Sequence, residues 1–337
     1  MSAGYRAIGW LPFKKKYDAV LAFAVVTYLS AFFVTGKLVW RGEHSISDEI
    51  LIMRALGTGA FLMLSFILCI GPLARLDRRF LPLLYNRRHL GVLTFLIGLF
   101  HGLLVLGFYH GFARISPVIS LLTSNTQYRS VSAFPFEILG LLALLILFLM
   151  AATSHDFWLK NLSAGVWKGL HMLVYPAWGL LVMHVALGAM QSERSVIFPI
   201  LLFAAVAAVA GLHLVAGMRE RAVVSAKNNW IDAGPVGQIT DGRGIVLKPT
   251  GRERIALFKH GQGLCAIGNV CAHQGGPLGE GRIIDGCVTC PWHGYQYVAE
   301  TGKSPPPFNE QVPTYPVRVE NGRVFVCIDP TEADHAS

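Results

Sequence analysis

The chain has 337 residues, of which 53% are hydrophobic and only 15% charged, with 29 Lys and Arg against 20 Asp and Glu for a formal charge of +9. A mean hydropathy of +0.49 with so few charges excludes an ordinary water-soluble protein, and the length allows two domains. The basic residues fall in short clusters between apolar runs, without the aromatic interleaving of a nucleic-acid surface, so nucleic acid is excluded as a partner.

After a polar segment, residues 1–17, six apolar runs follow at roughly 18–36, 50–73, 90–110, 134–153, 167–189 and 196–216. Each is about the twenty residues that a helix needs to cross a bilayer. One such run also fits a buried core helix. Six in succession, with polar connections, predict a six-helix transmembrane α-bundle over 18–216. The first run follows Lys14-Lys15-Lys16 as a signal peptide would. No small-residue cleavage site closes it and it exceeds a signal core in length, so it is read as a retained helix.

Loop charge sets the expected orientation. With the N-terminus inside, thirteen Lys and Arg lie in the inner segments, Arg78-Arg79 and Arg87-Arg88 among them, against Lys37, Arg41, Arg114, Arg129 and Arg194 outside. Both termini are therefore expected in the cytoplasm, with the protein integral to an inner or plasma membrane and the lipid bilayer its surroundings.

Ionisable side chains inside a bilayer are costly and usually functional. His101 stands in the third run, His171 and His184 in the fifth. A lone buried histidine is most often a hydrogen-bonded helix contact. Two on one helix and a third at matching depth on another are the pattern of axial heme ligands. At ~1.5 Å per residue, His101 lies about twelve residues into its helix, His184 about seventeen and His171 about four. His101 and His184 form the matched pair once helix tilt absorbs the difference. His171 sits ~20 Å from His184 along the axis, a spacing that suits a second heme, and Pro176 between them can change the helical phase. Arg54 and Glu137, towards outer helix ends, read as snorkelling side chains, with a heme propionate or a quinone as the other partner for Arg54. The 111–133 connection is long enough to floor an outer site.

Residues 217–235, rich in Arg, Lys and Asn and ending in Gly234-Pro235, read as a linker to a Gly- and Pro-rich C-terminal domain over 236–330, with 331–337 as a tail. In that domain Cys271-Ala272-His273 is followed after sixteen residues by Cys290-Pro291-Trp292-His293. Two thiolates for one iron and two imidazoles for the other are what a mixed-ligand [2Fe–2S] centre requires. A Cys2His2 zinc site uses the same atoms. The continuations Gln274-Gly275-Gly276-Pro277-Leu278 and Gly294-Tyr295-Gln296-Tyr297 follow no zinc-finger pattern.

With these loops, Thr301-Gly302 and Pro305-Pro306-Pro307, the C-terminal stretch resembles the Rieske family. The resemblance implies an all-β domain whose cluster is ligated by Cys271, His273, Cys290 and His293. Where high-potential respiratory members pair two loop cysteines in a disulfide, this chain has Gly276 and Trp292. Their potential-raising serine is Tyr295 here, and Tyr297 stands where they keep a sulfur-bonding tyrosine. The resemblance thus implies a centre of the ferredoxin and oxygenase type, of intermediate to low potential.

The membrane part resembles the ferric reductase-like transmembrane family through Gly71-Pro72-Leu73, Arg87-Arg88-His89-Leu90-Gly91, His101, Trp167, Leu170-His171, Val174-Tyr175 and His184. Within that family it is most similar to the heme-binding subunit of the bacterial methionine sulfoxide reductase system, and next to the six-helix metalloreductases. This implies one or two b hemes. Two-heme members carry a second histidine on the third helix. Here the third helix offers His89 and His110, neither on the face of His101, while His89 or His213 are the histidines at the depth of His171.

No Gly-rich dinucleotide fingerprint follows a strand, so no NAD(P)H or flavin domain is expected. The 44 residues after His293 are too few for the mononuclear iron domain of an oxygenase. The expected function is transmembrane electron transfer. A cytoplasmic donor protein, a ferredoxin or flavin reductase, would feed the cluster. Membrane b heme would pass the electron to a quinone, a metal chelate or an extracytoplasmic redox partner. Two other readings remain. A stand-alone ferric or cupric reductase would favour an acidic or His-lined outer loop, and 111–133 has no Asp, Glu or His; a non-catalytic redox sensor would carry an output domain, and seven residues follow Pro330.

Overall fold

The structure is a computed structural model that describes residues 12–40, 46–84, 87–112, 114–154, 158, 162, 164–188, 196–219, 229–249, 252–261, 263–273, 275–292 and 294–331. Two compact units divide the chain. One is made by Pro12–Gly71 with Asn86–Leu214, and the other contains Pro72–Tyr85 and everything from Val215 onward.

The apolar runs fold as helices: α1 Pro12–Val39, α2 Asp48–Leu76, α3 Leu81–Leu84, α4 Arg87–Val105, α5 Pro117–Thr123, α6 Phe136–Ala152, α7 Ala164–Met172, α8 Val174–Leu187 and α9 Ile197–Arg219. A single π turn, Leu106–His110, extends α4. Among the described residues, five stretches are long and apolar enough to cross a membrane: α1, α2, α4 with its π turn, α7 with α8, and α9. The remaining apolar run, the fourth, gives α6, which has 17 residues, or about 26 Å at the helical rise. The helix count is thus five long and one short, close to the expected six.

Large apolar side chains such as Phe23 and Phe203, 73% and 69% exposed, point outward from these helices. That costs nothing where the surroundings are acyl chains, and inner contacts fall to smaller or tightly fitted groups. Leu64, Leu147 and Ala177 form one buried cluster, and Phe61, Leu202 and Ala205 another. A polar tie crosses the bundle where the Trp178 indole N–H donates to Ser65 Oγ at 2.9 Å, and Ser65 donates to the Phe61 carbonyl at 2.8 Å.

The run 167–189 is broken at Leu173, between α7 and α8. Pro176 has no N–H to return and sits in the first turn of α8, where none is needed. Leu173 N–H donates to Leu170 O at 3.2 Å and Ala177 N–H to Leu173 O at 2.9 Å. The break between His171 and His184 therefore lies three residues before the proline, next to the Met172 carbonyl that the proline ring would crowd in an unbroken helix.

The second unit is antiparallel β structure in three sheets. Strands β1 Trp230–Pro235, β10 Arg323–Cys327 and β9 Val317–Glu320 form one sheet. The second has β2 Gly244–Leu247, β3 Ile255–His260, β4 Gly263–Gly268 and β8 Thr314–Tyr315, and the third β5 Arg282–Ile284, β6 Cys287–Thr289 and β7 Gln296–Val298. Ile231, Leu257 and Val326 fill the core between the first two sheets. A second core of Phe258, Leu278, Val288 and Tyr297 lies beneath the loops of the third.

The linker boundary shifts. β1 occupies 230–235, which composition had given to the linker, because Ile231 is fully buried against β10 and pairs with Val326. Gly234-Pro235 marks a bulge in that strand, with Gly234 at φ +94°, and not a free-standing turn. Helix α9 runs on to Arg219, so only 220–229 separates helix from strand, and 220–228 lies outside the described residues.

Candidate cofactor sites

Two loops of matching construction adjoin the third sheet, one between β4 and β5 and one between β6 and β7. In each, a cysteine carbonyl accepts from the glycine four residues on: Gly275 N–H to Cys271 O at 2.7 Å, and Gly294 N–H to Cys290 O at 2.9 Å. In each, the cysteine N–H donates to the residue five on: Cys271 to Gly276 O and Cys290 to Tyr295 O, both at 2.8 Å. The turn residues Gly275 and Gly294 have φ of +70° and +74°, a region where a side chain is strained and glycine is not. The glycines therefore hold the two cysteines in equivalent poses.

The loop tips meet at Gly276, where an added Cβ would stand 2.6 Å from Cys290 Sγ and 3.2 Å from the Trp292 ring. None of the six cysteines is joined in a disulfide. Cys271 and Cys290 are both buried, 1% exposed, and His273 lies on the first loop. His293 falls outside the described residues. A buried thiol pair on paired glycine turns, with an imidazole two residues after the first, fits the donor set of a mixed-ligand iron–sulfur centre.

Two tyrosines surround this donor set. Tyr297 is fully buried, donates towards Cys271 Sγ at 3.3 Å, and accepts from the His273 backbone N–H at 3.2 Å. Burial first, and then the adjacent Cys271 sulfur, push its phenol well above the usual range, which keeps it a donor. Tyr295 instead stacks on the His273 ring, with centroids 4.4 Å apart and planes 7° from parallel, and its hydroxyl donates to the Glu310 carboxylate. The family resemblance put Tyr295 where respiratory members keep a potential-raising serine. In the fold its hydroxyl turns to Glu310, a residue that no motif marked.

Among the helices, His101 on α4 and His184 on α8 come together with ring centroids 6.5 Å apart and planes at 82°. The His101 Nδ1–H donates to the Met53 carbonyl of α2 at 2.9 Å, and the His184 Nδ1–H to the Phe136 carbonyl of α6 at 2.8 Å. Each carbonyl fixes the tautomer, so Nε2 of each ring keeps the lone pair that could bind a metal. Two imidazoles this close together are the residues that would hold a metal such as heme iron. Small residues make room for the rings: a Cβ on Gly57 would lie 2.9 Å from His101 Cε1, and one on Gly140 2.8 Å from His184 Cε1.

His171 is not brought against another imidazole among the described residues. Its ring stacks on Trp167 at 3.7 Å, its Nδ1–H donates to Trp167 O at 3.1 Å, and Ser154 Oγ stands 3.4 Å from Nε2. His89 lies 2.9 Å from the Asp18 carboxylate, His110 is buried 3.0 Å from Ser120 Oγ, and His213 accepts from the Tyr175 hydroxyl at 3.1 Å. Arg54 lies over the Trp40 ring, 5.6 Å from its centroid.

Residues 56–182 match the family described as a ferric reductase like transmembrane component, and residues 229–316 match the Rieske [2Fe-2S] domain. The C-terminal region is 33% identical over 102 residues to the ferredoxin component of the naphthalene 1,2-dioxygenase/salicylate 5-hydroxylase systems of a Ralstonia species, covering 30% of this chain and 97% of that protein. It is 34% identical over 100 residues to the anthranilate 1,2-dioxygenase ferredoxin subunit of Burkholderia cepacia, covering 29% and 92%. Among solved structures, the ferredoxin of Sphingomonas yanoikuyae B1 is similar at 26% identity and a TM-score of 0.27, over 30% of this chain and 98% of that one.

Proposed function

Since residues 229–316 make this chain a member of the Rieske [2Fe–2S] family, behind the ferric reductase-like transmembrane component of residues 56–182, we propose that it carries electrons across a membrane between a cytoplasmic donor protein and an acceptor at or beyond the outer face. Cys271, His273, Cys290 and His293 would hold the cluster, and His101 and His184 a b heme. When bound, these groups supply one-electron chemistry, which the side-chain donors of the protein lack. The residues themselves fix ligand identity, tautomer and burial, and so tune potential.

The observation that carries the reading is the pair of carbonyl-anchored imidazoles, 6.5 Å apart between centroids, in an apolar helical unit of the same chain as the paired cysteine loops. The chain would cross the bilayer six times with α6 as the short crossing, and loop charge supports cytoplasmic termini. The donor would be a ferredoxin or a flavin reductase, and the acceptor a quinone, a metal chelate or a redox protein. His171 would ligate a second heme or line the inner end of the helical unit.

The test uses inside-out vesicles of the full-length protein supplied with a soluble ferredoxin and its reductase. Heme reduction is expected to need an intact cluster, so Cys271→Ser should slow it to the rate of the donor-free control. Reduction of the variant at the wild-type rate would show that the cluster is off the path.

A further inference from the structure

The arrangement around His101 occurs twice. Met53 O, Gly57 and His101 have counterparts in Phe136 O, Gly140 and His184, and each counterpart stands 83 positions later in the chain. The carbonyl-to-histidine separation is 48 residues in both. The relation extends beyond the ligands. Ala60, Leu64 and Thr94 are buried, and so are the residues 83 positions on, Ala143, Leu147 and Ala177. Leu144 lies against Gly98 and Gly102, while its counterpart Phe61 packs in one cluster with Leu181 and Val185, which are the counterparts of those two glycines. Equivalent positions are thus buried, or belong to apolar clusters, in both halves.

We infer that residues 53–101 and 136–184 are two copies of one imidazole-holding hairpin, and that Gly57 and Gly140 are the positioning residues that set where each imidazole stands. The inference rests on the reading of His101 and His184 as heme ligands and adds to it the cause of their geometry. In each copy the carbonyl holds Nδ1 from one side. The glycine, one helical turn further along the same helix, removes the Cβ that would otherwise meet the ring at under 3.0 Å. A ring on a buried hydrogen bond cannot swing away from such a contact without breaking the bond, so an added methyl group would drive the imidazole towards the metal side.

The test introduces Gly57→Ala and Gly140→Ala into the full-length protein, singly and together. Gly91→Ala and Gly179→Ala are the controls, since they lie on the two histidine helices with nothing within 4 Å of an added Cβ. Heme content, the ferric low-spin resonance and the midpoint potential are read from each. The Rieske resonance of the same sample reports whether the chain is folded.

Overpacking of this size should weaken heme retention about tenfold in each single variant, shift the low-spin resonance in both, and leave the two controls at wild type. Wild-type spectra in Gly57→Ala or in Gly140→Ala, or a change in only one of them, would overturn the inference. If the glycine variants fail to accumulate, His101→Gly supplemented with free imidazole replaces them. The imidazole concentration that restores the heme band should rise about tenfold when Gly57→Ala is added, and an unchanged concentration would overturn the inference as well. Full heme content in both His101→Ala and His184→Ala would instead sink the ligand assignment itself.

Discussion

The cluster loops and the membrane histidine pair are both built in duplicate, by opposite means. In the β unit, each cysteine is posed by hydrogen bonds to residues four and five positions away, through turns that glycine closes. In the helical unit, each histidine is posed by a carbonyl 48 residues away on a different helix. A loop site is assembled locally and needs only its own sheet edge. The helical site needs its helices packed first, because the carbonyls that anchor His101 and His184 lie on other helices. The first is therefore expected to survive damage to the second, while the second depends on packing throughout its unit.

The sharpest way to break this comparison is Cys290→Ser. It should abolish the mixed-ligand iron–sulfur resonance and leave the heme spectrum as in wild type, and loss of both signals would show that the sites are not independent. Next in size is His184→Ala, which should remove most of the reduced heme band with the cluster resonance retained. His171→Ala in the same assay removes a separate heme population only if a second heme is present. A smaller change tests the tuning of the cluster: Tyr297→Phe deletes the hydroxyl beside Cys271 Sγ. It should lower the cluster potential by up to about 60 mV, the one-electron equivalent of a tenfold change in equilibrium, with cluster content unchanged; an equal or higher potential would show that the hydroxyl does not favour the reduced form.

The smallest expected effect concerns the first sheet, away from both sites. The Asp232 carboxyl is held below its ordinary value by the Arg323 side chain that bonds it, and then by the Gly234 N–H. A depressed carboxyl contributes stability above its unfolded pKa of about 3.9, and that contribution is lost as pH falls through the lower folded value. The pair is exposed, so the effect is slight. Asp232→Asn should flatten the acid limb of the unfolding curve of the β unit between neutral pH and about pH 3. Parallel curves for variant and wild type would mean that the pair contributes nothing.

The same contrast explains what the sequence revealed. Cys271, His273 and Cys290 stood out in the sequence because a locally built loop pair leaves a motif with fixed spacing, while His293, called with them, lies outside the described residues. The apolar runs were legible because bilayer thickness sets their length, and even α6 was found as a run before its shortness was visible. The strand at 230–235 was hidden because Gly234 and Pro235 signal a turn by composition, whereas Ile231 joins a core whose other members lie near the end of the chain. Depth counted along each helix put His101 and His184 five residues apart, and the helix break at Leu173 shows why such counting is inexact. The glycines and carbonyls that hold those rings carry no signature in isolation. Only the shared 83-residue offset exposes them, and it is visible once the two hydrogen bonds are known. Glu310 was missed because its partner, Tyr295, was assigned by position along the loop and not by the direction of its hydroxyl.

The repeated hairpin also bears on ancestry. A metal gripped by equivalent residues of two like hairpins can equally be gripped by two separate molecules of one hairpin, related by a two-fold axis. A gene encoding a single hairpin could have made the same site by self-association, and tandem fusion would then free each copy to diverge. Arg54 and Glu137 show that divergence: they follow the two anchoring carbonyls at equivalent positions and carry opposite charges. The connection between the copies, 111–133, contributes neither a ligand nor an anchor, so it is where the chain would tolerate being divided into two co-expressed pieces.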